Sequence, residues 1–266
     1  MADQLLQLKE ATKRLRPHRR RYLGVQPIEV GSIIGTDSRD GDFDREFRAL
    51  RPELRERLRR VGEAFPDGGL PPITVEKLGD AYFVIDGHHR VALARQRGAL
   101  AIDADVTELT ARWHLSANAD RSELVHAEQE RLFMTESGLA DVTPDVRIRF
   151  TRPVGYRQLL EAVKVHGYQL MLEAPHRLGR GQIALDWYSH VYLPAADALD
   201  GETLAGACPE ATISDRFLWL VEQGRERSVE QGPRQVPELV RLIQEHAPAR
   251  ERARKLSRPS LRRRET

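Results

Sequence analysis

Apolar residues recur along this chain with two different periods, and the change between them falls near residue 112. Leu5, Leu6, Leu8, Ala11 and Leu15 share roughly one face of a helix that must stop before Pro17. Pro27-Ile28-Glu29-Val30 reads as a short strand closed by Gly31-Ser32 and Gly35, and the polar stretch Thr36 to Asp44 as a loop. Leu54, Leu58, Val61 and Phe65 repeat at helical spacing within residues 50–65, and the run ends at Pro66 and Gly68-Gly69. Residues 73–78 alternate as a strand, Gly79-Asp80 turns the chain, and residues 81–85 form a second strand. Asp86-Gly87 breaks that strand, residues 88–97 are helical up to a Gly98 cap, and residues 102–106 are again a strand. From Ser116 onward the period is helical: from Asp120 or Ser122 to Phe133, then 156–172, 183–199, 211–227 and 236–246.

These elements predict an α+β chain, a mixed-sheet N-terminal domain followed by an all-α C-terminal domain. The expected organisation is an amphipathic helix and basic arm over 1–21, the α/β domain over 22–112 and a helical connector over 113–147. A helical domain over 148–246 and a basic tail over 247–266 complete it. No internal repeat is visible.

With 266 residues, 40% of them hydrophobic and 31% charged, the composition is that of a soluble globular protein. No apolar run approaches the ~20 residues that span a bilayer, so no membrane partner is expected. The first 21 residues lack the basic-then-apolar order of a secretory signal. Cys208 is the single cysteine, which excludes an internal disulfide and a multi-cysteine metal site. The expected address is the cytoplasm. Oligomeric state is not legible in the pattern.

Charge changes this picture at the ends. Residues 13–21 hold six basic side chains and no acid, and residues 249–266 hold eight basic against two acidic ones, although the formal net charge is only +2. The body between is therefore acidic. Two basic arms can neutralise phosphates and release counterions, which makes DNA a candidate partner. Solvated Arg-rich tails are the competing reading of the same runs.

The sharpest chemistry lies where the strand Tyr82-Phe83-Val84-Ile85 enters Asp86-Gly87 and passes at once into a helix. Such a junction aims backbone amides and the positive end of the helix dipole at one spot, where anions bind. Gly87 permits close approach of a ligand to the backbone. Arg90 can give a forked pair of hydrogen bonds to a phosphate, and His88 and His89 supply further donors. Three basic residues at a helix N-terminus are unfavourable alone, so they ask for an anion. Asp86 is the acid nearest to hand that could satisfy them instead.

The order of elements around this loop resembles the ParB/sulfiredoxin superfamily. The resemblance runs from Pro27-Ile28-Glu29-Val30 through Leu70-Pro71-Pro72-Ile73-Thr74-Val75 to Asp86-Gly87-His88-His89-Arg90-Val91-Ala92-Leu93-Ala94. It closes at Gly98 and Ala104-Asp105-Val106, and covers about a third of the chain. ParB proteins carry Gly-Glu-Arg-Arg at this loop and use it on CTP phosphates. Sulfiredoxins carry Gly-Cys-His-Arg there and bind ATP. Free-serine kinases of the superfamily are similar to this chain in carrying Asp-Gly-His-His-Arg. The resemblance implies a nucleotide cofactor, ATP, ADP or CTP, with or without Mg, held by Asp86, Gly87, His88, His89 and Arg90. His88 stands where sulfiredoxins have their nucleophilic cysteine, which excludes that chemistry, and the two-arginine ParB pattern is absent. The stretch 150–160 resembles the C-terminal regions of uncharacterised ParB-like proteins and adds no chemistry.

A phosphotransferase would need a carboxylate base. Glu29, Asp37, Asp42 and Asp44 lie in or beside the first loop, and Asp37 is the candidate catalytic residue, with loop capping as the alternative role of these acids. His166, His176 and His190 with Asp186 match no compact metal-ligand spacing, so no metal site is assigned. Trp187, Tyr188, Tyr192, Phe217 and Trp219 read as core. Residues 204–220 fit a helix-turn-helix only if Pro209 sits near the turn. The function expected is thus a nucleotide-binding ParB-like protein, regulatory or DNA-associated. The alternative is a small-molecule kinase or another phosphate-ester enzyme of the superfamily. If the tail holds nucleic acid, affinity for random-sequence DNA falls steeply as salt rises, and removing residues 249–266 flattens that dependence. An unchanged salt slope after the truncation identifies a solvated tail.

Overall fold

The computed structural model describes residues 4–38, 41–65, 69–199 and 210–227, with side chains in the last segment described up to Glu222. The fold is mixed α+β, with a six-stranded mixed sheet and helices. Two compact units are present, residues 1–131 and 132–266.

In the first unit the strands are β1 (Leu6–Gln7), β2 (Arg19–Glu29), β3 (Ile33–Thr36), β4 (Ile73–Leu78), β5 (Ala81–Asp86) and β6 (Ala101–Thr110). Their order across the sheet is β1-β3-β5-β4-β6-β2. β1, β3 and β5 run parallel, β5 and β4 form the antiparallel hairpin turned by Gly79-Asp80, β4 and β6 are parallel, and β6 and β2 antiparallel. The helices are α1 (Leu8–Leu15), α2 (Pro52–Ala64) and α3 (His88–Gln96), and α4 (Arg121–Ser137) begins in this unit.

The central strands read as their sequences demand. Ile73, Val75 and Val84 join Ile102, Ala104 and Val106 in one cluster, against which α3 packs Val91, Ala92 and Ala94. Phe83, next to Val84 along β5, is fully buried too, so β5 is covered on both faces. The hairpin and α3 match the expected elements to within a residue or two. β3 falls on the stretch read as closing the first strand: its four residues are all buried, and Ile33, Gly35 and Thr36 pair with β5. Four residues, one of them Gly35, carry too little alternation to stand out.

The amphipathic helix expected within residues 1–21 is present as α1, whereas the detached basic arm is a correction. β1 pairs with β3, α1 buries Leu8, Ala11 and Leu15, and β2 starts at Arg19, so this segment belongs to the sheet and its cover. Three of the six basic side chains at 13–21 are paired with acids of the same unit. Arg14 pairs with Glu10 and Glu128, Arg20 with Glu76 at 2.6 Å, and Arg21 with Glu108 at 2.9 Å. Apart from Glu10, the acids that pair with them lie far away in sequence, which is why a local charge count reads them as free.

The second unit is helical: the end of α4, then α5 (Leu139–Val142), α6 (Val154–Glu173), α7 (Arg180–Trp187), a π-helical turn over Tyr188–Tyr192, α8 (Leu193–Leu199) and α9 (Ile213–Arg227). The division from the first unit falls inside α4, later than the expected change at 112, because α4 begins against α1. There Arg131 Nε donates to the Arg14 carbonyl at 2.6 Å. Trp187, Tyr192 and Phe217 form an aromatic core with centroids 5.1–6.1 Å apart, whereas Trp219 is exposed. The helix expected over 236–246, the tail 247–266 and the Pro209 turn of the helix-turn-helix reading lie outside the described residues. Among the described residues no helix is long and apolar enough to cross a membrane.

Leu15→Ala tests the place of the N-terminal segment. Full burial of Leu15 makes the expected loss in urea unfolding about 2–5 kcal/mol. A loss within about 0.5 kcal/mol, the surface range, would restore the detached arm.

Candidate functional site

The loop singled out by sequence sits where parallel strands β3 and β5 end side by side, with Thr36 in register with Val84. Ligands of open α/β sheets favour such carboxyl ends. Gly87 adopts φ +102°, and a Cβ there would lie 2.5 Å from Ile73 Cγ2. Only glycine both takes the left-handed turn and clears β4 at that point. The chain then enters α3, whose first turn closes with the amides of Arg90 and Val91 donating to the Gly87 carbonyl at 2.8 and 3.0 Å.

The two histidines reach the site from inside the fold. His88 and His89 are buried, 4% and 8% exposed, rather than displayed to solvent. His88 Nε2 lies 2.7 Å from Thr36 Oγ1, and its ring stacks on Phe43 with centroids 6.0 Å apart. His89 meets Phe43 edge-on at 5.4 Å. Phe47 completes this cluster at φ +58°, under the guanidinium of Arg95 at 5.2 Å. Arg95 donates to the carbonyls of Ile33, Val30 and Arg45 at 2.7, 3.2 and 3.2 Å, and burial pushes its pKa down from the ordinary guanidinium value. The histidines thus pack the loop 41–49 onto α3, and their edges alone reach the site.

Arg90 is likewise engaged by the protein. It donates to the Pro71 carbonyl at 3.0 Å, to the Pro72 carbonyl and to Asp86. Its guanidinium therefore ties residues 71–72 to the start of α3. The acid beside the loop supplies the compensation that the helix N-terminus requires.

A cleft of about 280 Å³ opens between α2 and this junction, lined by Arg57, Val61, Phe65 and Pro71 on one side and residues 86–90 on the other. Ligand clefts run from about 300 Å³ upward, so this one suits a small ligand or part of a larger one. Arg57 is the functional candidate that sequence reasoning passed over. It stands four residues before Val61 and eight before Phe65, on the stripe that faces the cleft. An arginine in phase with an apolar stripe is the signal that marks it.

The candidate bases separate. Asp37 is exposed just beyond β3, its amide donating to the Val84 carbonyl at 3.1 Å, and it is not among the cleft-lining residues. Asp44 is buried and caps its own turn, accepting from the Glu46 and Arg48 amides at 3.0 and 2.8 Å and from Arg48 Nε at 2.7 Å. Asp42 faces Arg51 at 3.5 Å, and Glu29 lies exposed at the end of β2. In the second unit Asp186 joins His166 at 2.7 Å and His190 at 2.9 Å, while His176 stands exposed and apart. Among the described residues no three such groups are placed to hold one metal ion.

No protein-family model matches this chain, and no curated protein matches it. Replacing Gly87 by alanine tests the geometry of the junction against Gly98, which has φ +67° and open space around it. Both substitutions pay about 1–2 kcal/mol for the left-handed backbone, and Gly87→Ala pays for the contact with Ile73 in addition. Urea midpoints should rank Gly87→Ala well below Gly98→Ala, and equal midpoints would mean that β4 does not constrain the turn.

Proposed function

We propose that this protein binds a nucleoside di- or triphosphate in the cleft between α2 and the Asp86–Arg90 loop, and that its first unit is a ParB/sulfiredoxin-like domain. The observation that carries the reading is the coincidence of the cleft with the strand-glycine-helix junction. The lining has two characters. Arg57 and the positive end of α3 suit phosphate, and the apolar side chains of Val61, Phe65 and Pro71 suit a flat apolar group. A nucleotide has these two properties in one molecule, whereas inorganic phosphate has only the first. ATP, ADP and CTP, alone or with Mg, remain the candidates. The burial of His88 and His89 leaves recognition of the phosphate to the backbone, Arg57 and the rim of Arg90.

The role in this reading is regulatory binding rather than transfer. A kinase of free amino acids needs a base facing the acceptor, and Asp37 is exposed outside the cleft lining. DNA as a partner rests more on the tail 249–266 than on the N-terminal run, where Arg14, Arg20 and Arg21 are paired with acids.

Calorimetry with ATP, ADP, CTP and GTP on the full chain is the test. At least one nucleotide should bind at micromolar concentration, more tightly than tripolyphosphate by roughly the 1–3 kcal/mol of a stacked base, and Phe65→Ala should remove that advantage. Absence of binding by all four would end the proposal. Phosphate transfer to free serine that Asp37→Asn abolishes would replace it with the kinase.

A further inference from the structure

The proposed nucleotide site poses a charge problem. A phosphate brings one or two negative charges into a cleft already lined by Asp86, so at least one cation must be available to meet it. Arg90, the obvious choice from its place in the loop, is already engaged. Two of its contacts are carbonyls of residues 71–72, and the third is the Asp86 carboxylate, so its side chain is only 21% exposed. Releasing it to a ligand would break the tie that positions the cleft wall.

Helix α2 supplies the alternative. It carries arginines at 55, 57, 59 and 60. Arg59 is paired with Glu56 at 2.8 Å and with Glu63, and Arg60 with Glu56 at 3.4 Å. Arg59 beside Glu56 holds that carboxyl down at about 2, so these pairs persist across ordinary pH. Arg55 donates to the Ala49 carbonyl at 3.2 Å. Arg57 has no ion pair among the described residues, is exposed, and lines the cleft. It therefore combines access, an unspent charge and a position opposite the first turn of α3.

We propose that Arg57, and not Arg90, supplies the charge that holds the ligand's phosphate, with Arg90 acting as a positioning residue; this inference rests on the nucleotide reading above. The phosphate then sits between the guanidinium of Arg57 on one wall and the N-terminal turn of α3 on the other. Asp86 repels an anion that carries more charge than Arg57 and the helix end can balance. A guanidinium on a half-exposed helix also has freedom to swing onto a bound phosphate, which a three-way tied Arg90 lacks.

The experiment uses the full chain and two probes, ADP and inorganic pyrophosphate, with Arg57→Ala, Arg57→Lys and Arg59→Ala. Losing a charged hydrogen bond should weaken both probes at least about tenfold in Arg57→Ala. Arg57→Lys should recover most of that loss, and Arg59→Ala should bind like the parent chain. The salt dependence of pyrophosphate binding should become shallower in Arg57→Ala only. If the parent chain binds and Arg57→Ala binds equally well, the assignment of Arg57 is wrong and the nucleotide reading stands. If Arg59→Ala loses as much as Arg57→Ala, the effect belongs to the general field of α2 and the assignment is again wrong. If the parent chain binds neither probe, both readings fail together.

Discussion

The Thr36 hydroxyl and His88 Nε2 lie 2.7 Å apart where water does not reach, and the placement of α3 follows from that contact. A buried polar group left without its partner costs about 1–3 kcal/mol, so the end of β3 and the first turn of α3 are held to each other. Phe43 and Phe47 close over the two histidines, and Arg95 pins the same loop to the Val30, Ile33 and Arg45 carbonyls from below. Residues 30–36, 43–47 and 88–95 thereby form one packed body. The cleft is the space left between that body and α2.

The balance of charge at the junction follows from this packing. Burial turns the histidine rings onto Phe43, and the Asp86–Arg90 pair offsets two charges. A helix N-terminus that looks strongly basic in sequence is therefore close to neutral at its surface. The remaining attraction for an anion comes from the dipole of α3 and from whatever the opposite wall brings. Surface pairs such as Arg59–Glu56 contribute little to stability, but by occupying neighbouring arginines they decide which cation on α2 stays available.

Much of the first unit was legible because β4 alternates and β5 is a short apolar run bounded by turn residues. Ile73-Thr74-Val75 and Tyr82-Phe83-Val84 announce a hairpin, and Gly79-Asp80 announces its turn. The junction at Asp86-Gly87 was legible for the same local reason. What was not legible depended on distant partners. β3 is four residues long and exists because β5 and β1 flank it. The basic run at 13–21 reads as an arm until Glu76, Glu108 and Glu128 are seen to meet it. The burial of His88 and His89 is not legible until Phe43 and Phe47, some 40 residues earlier, are seen to pack on them. Asp44 reads as a base until the amides of its own turn fill its oxygens. In the second unit helical period alone gave α6, α7 to α8 and α9, and no chemistry followed from it.

Hydrogen exchange with and without ADP examines the account at its centre, since it reports every backbone segment at once. The account predicts added protection confined to residues 57–65 and 86–91, the two walls of the cleft, with the β6–β2 edge and the helices of the second unit unchanged. Protection absent from both walls, or appearing only in the second unit, would contradict it.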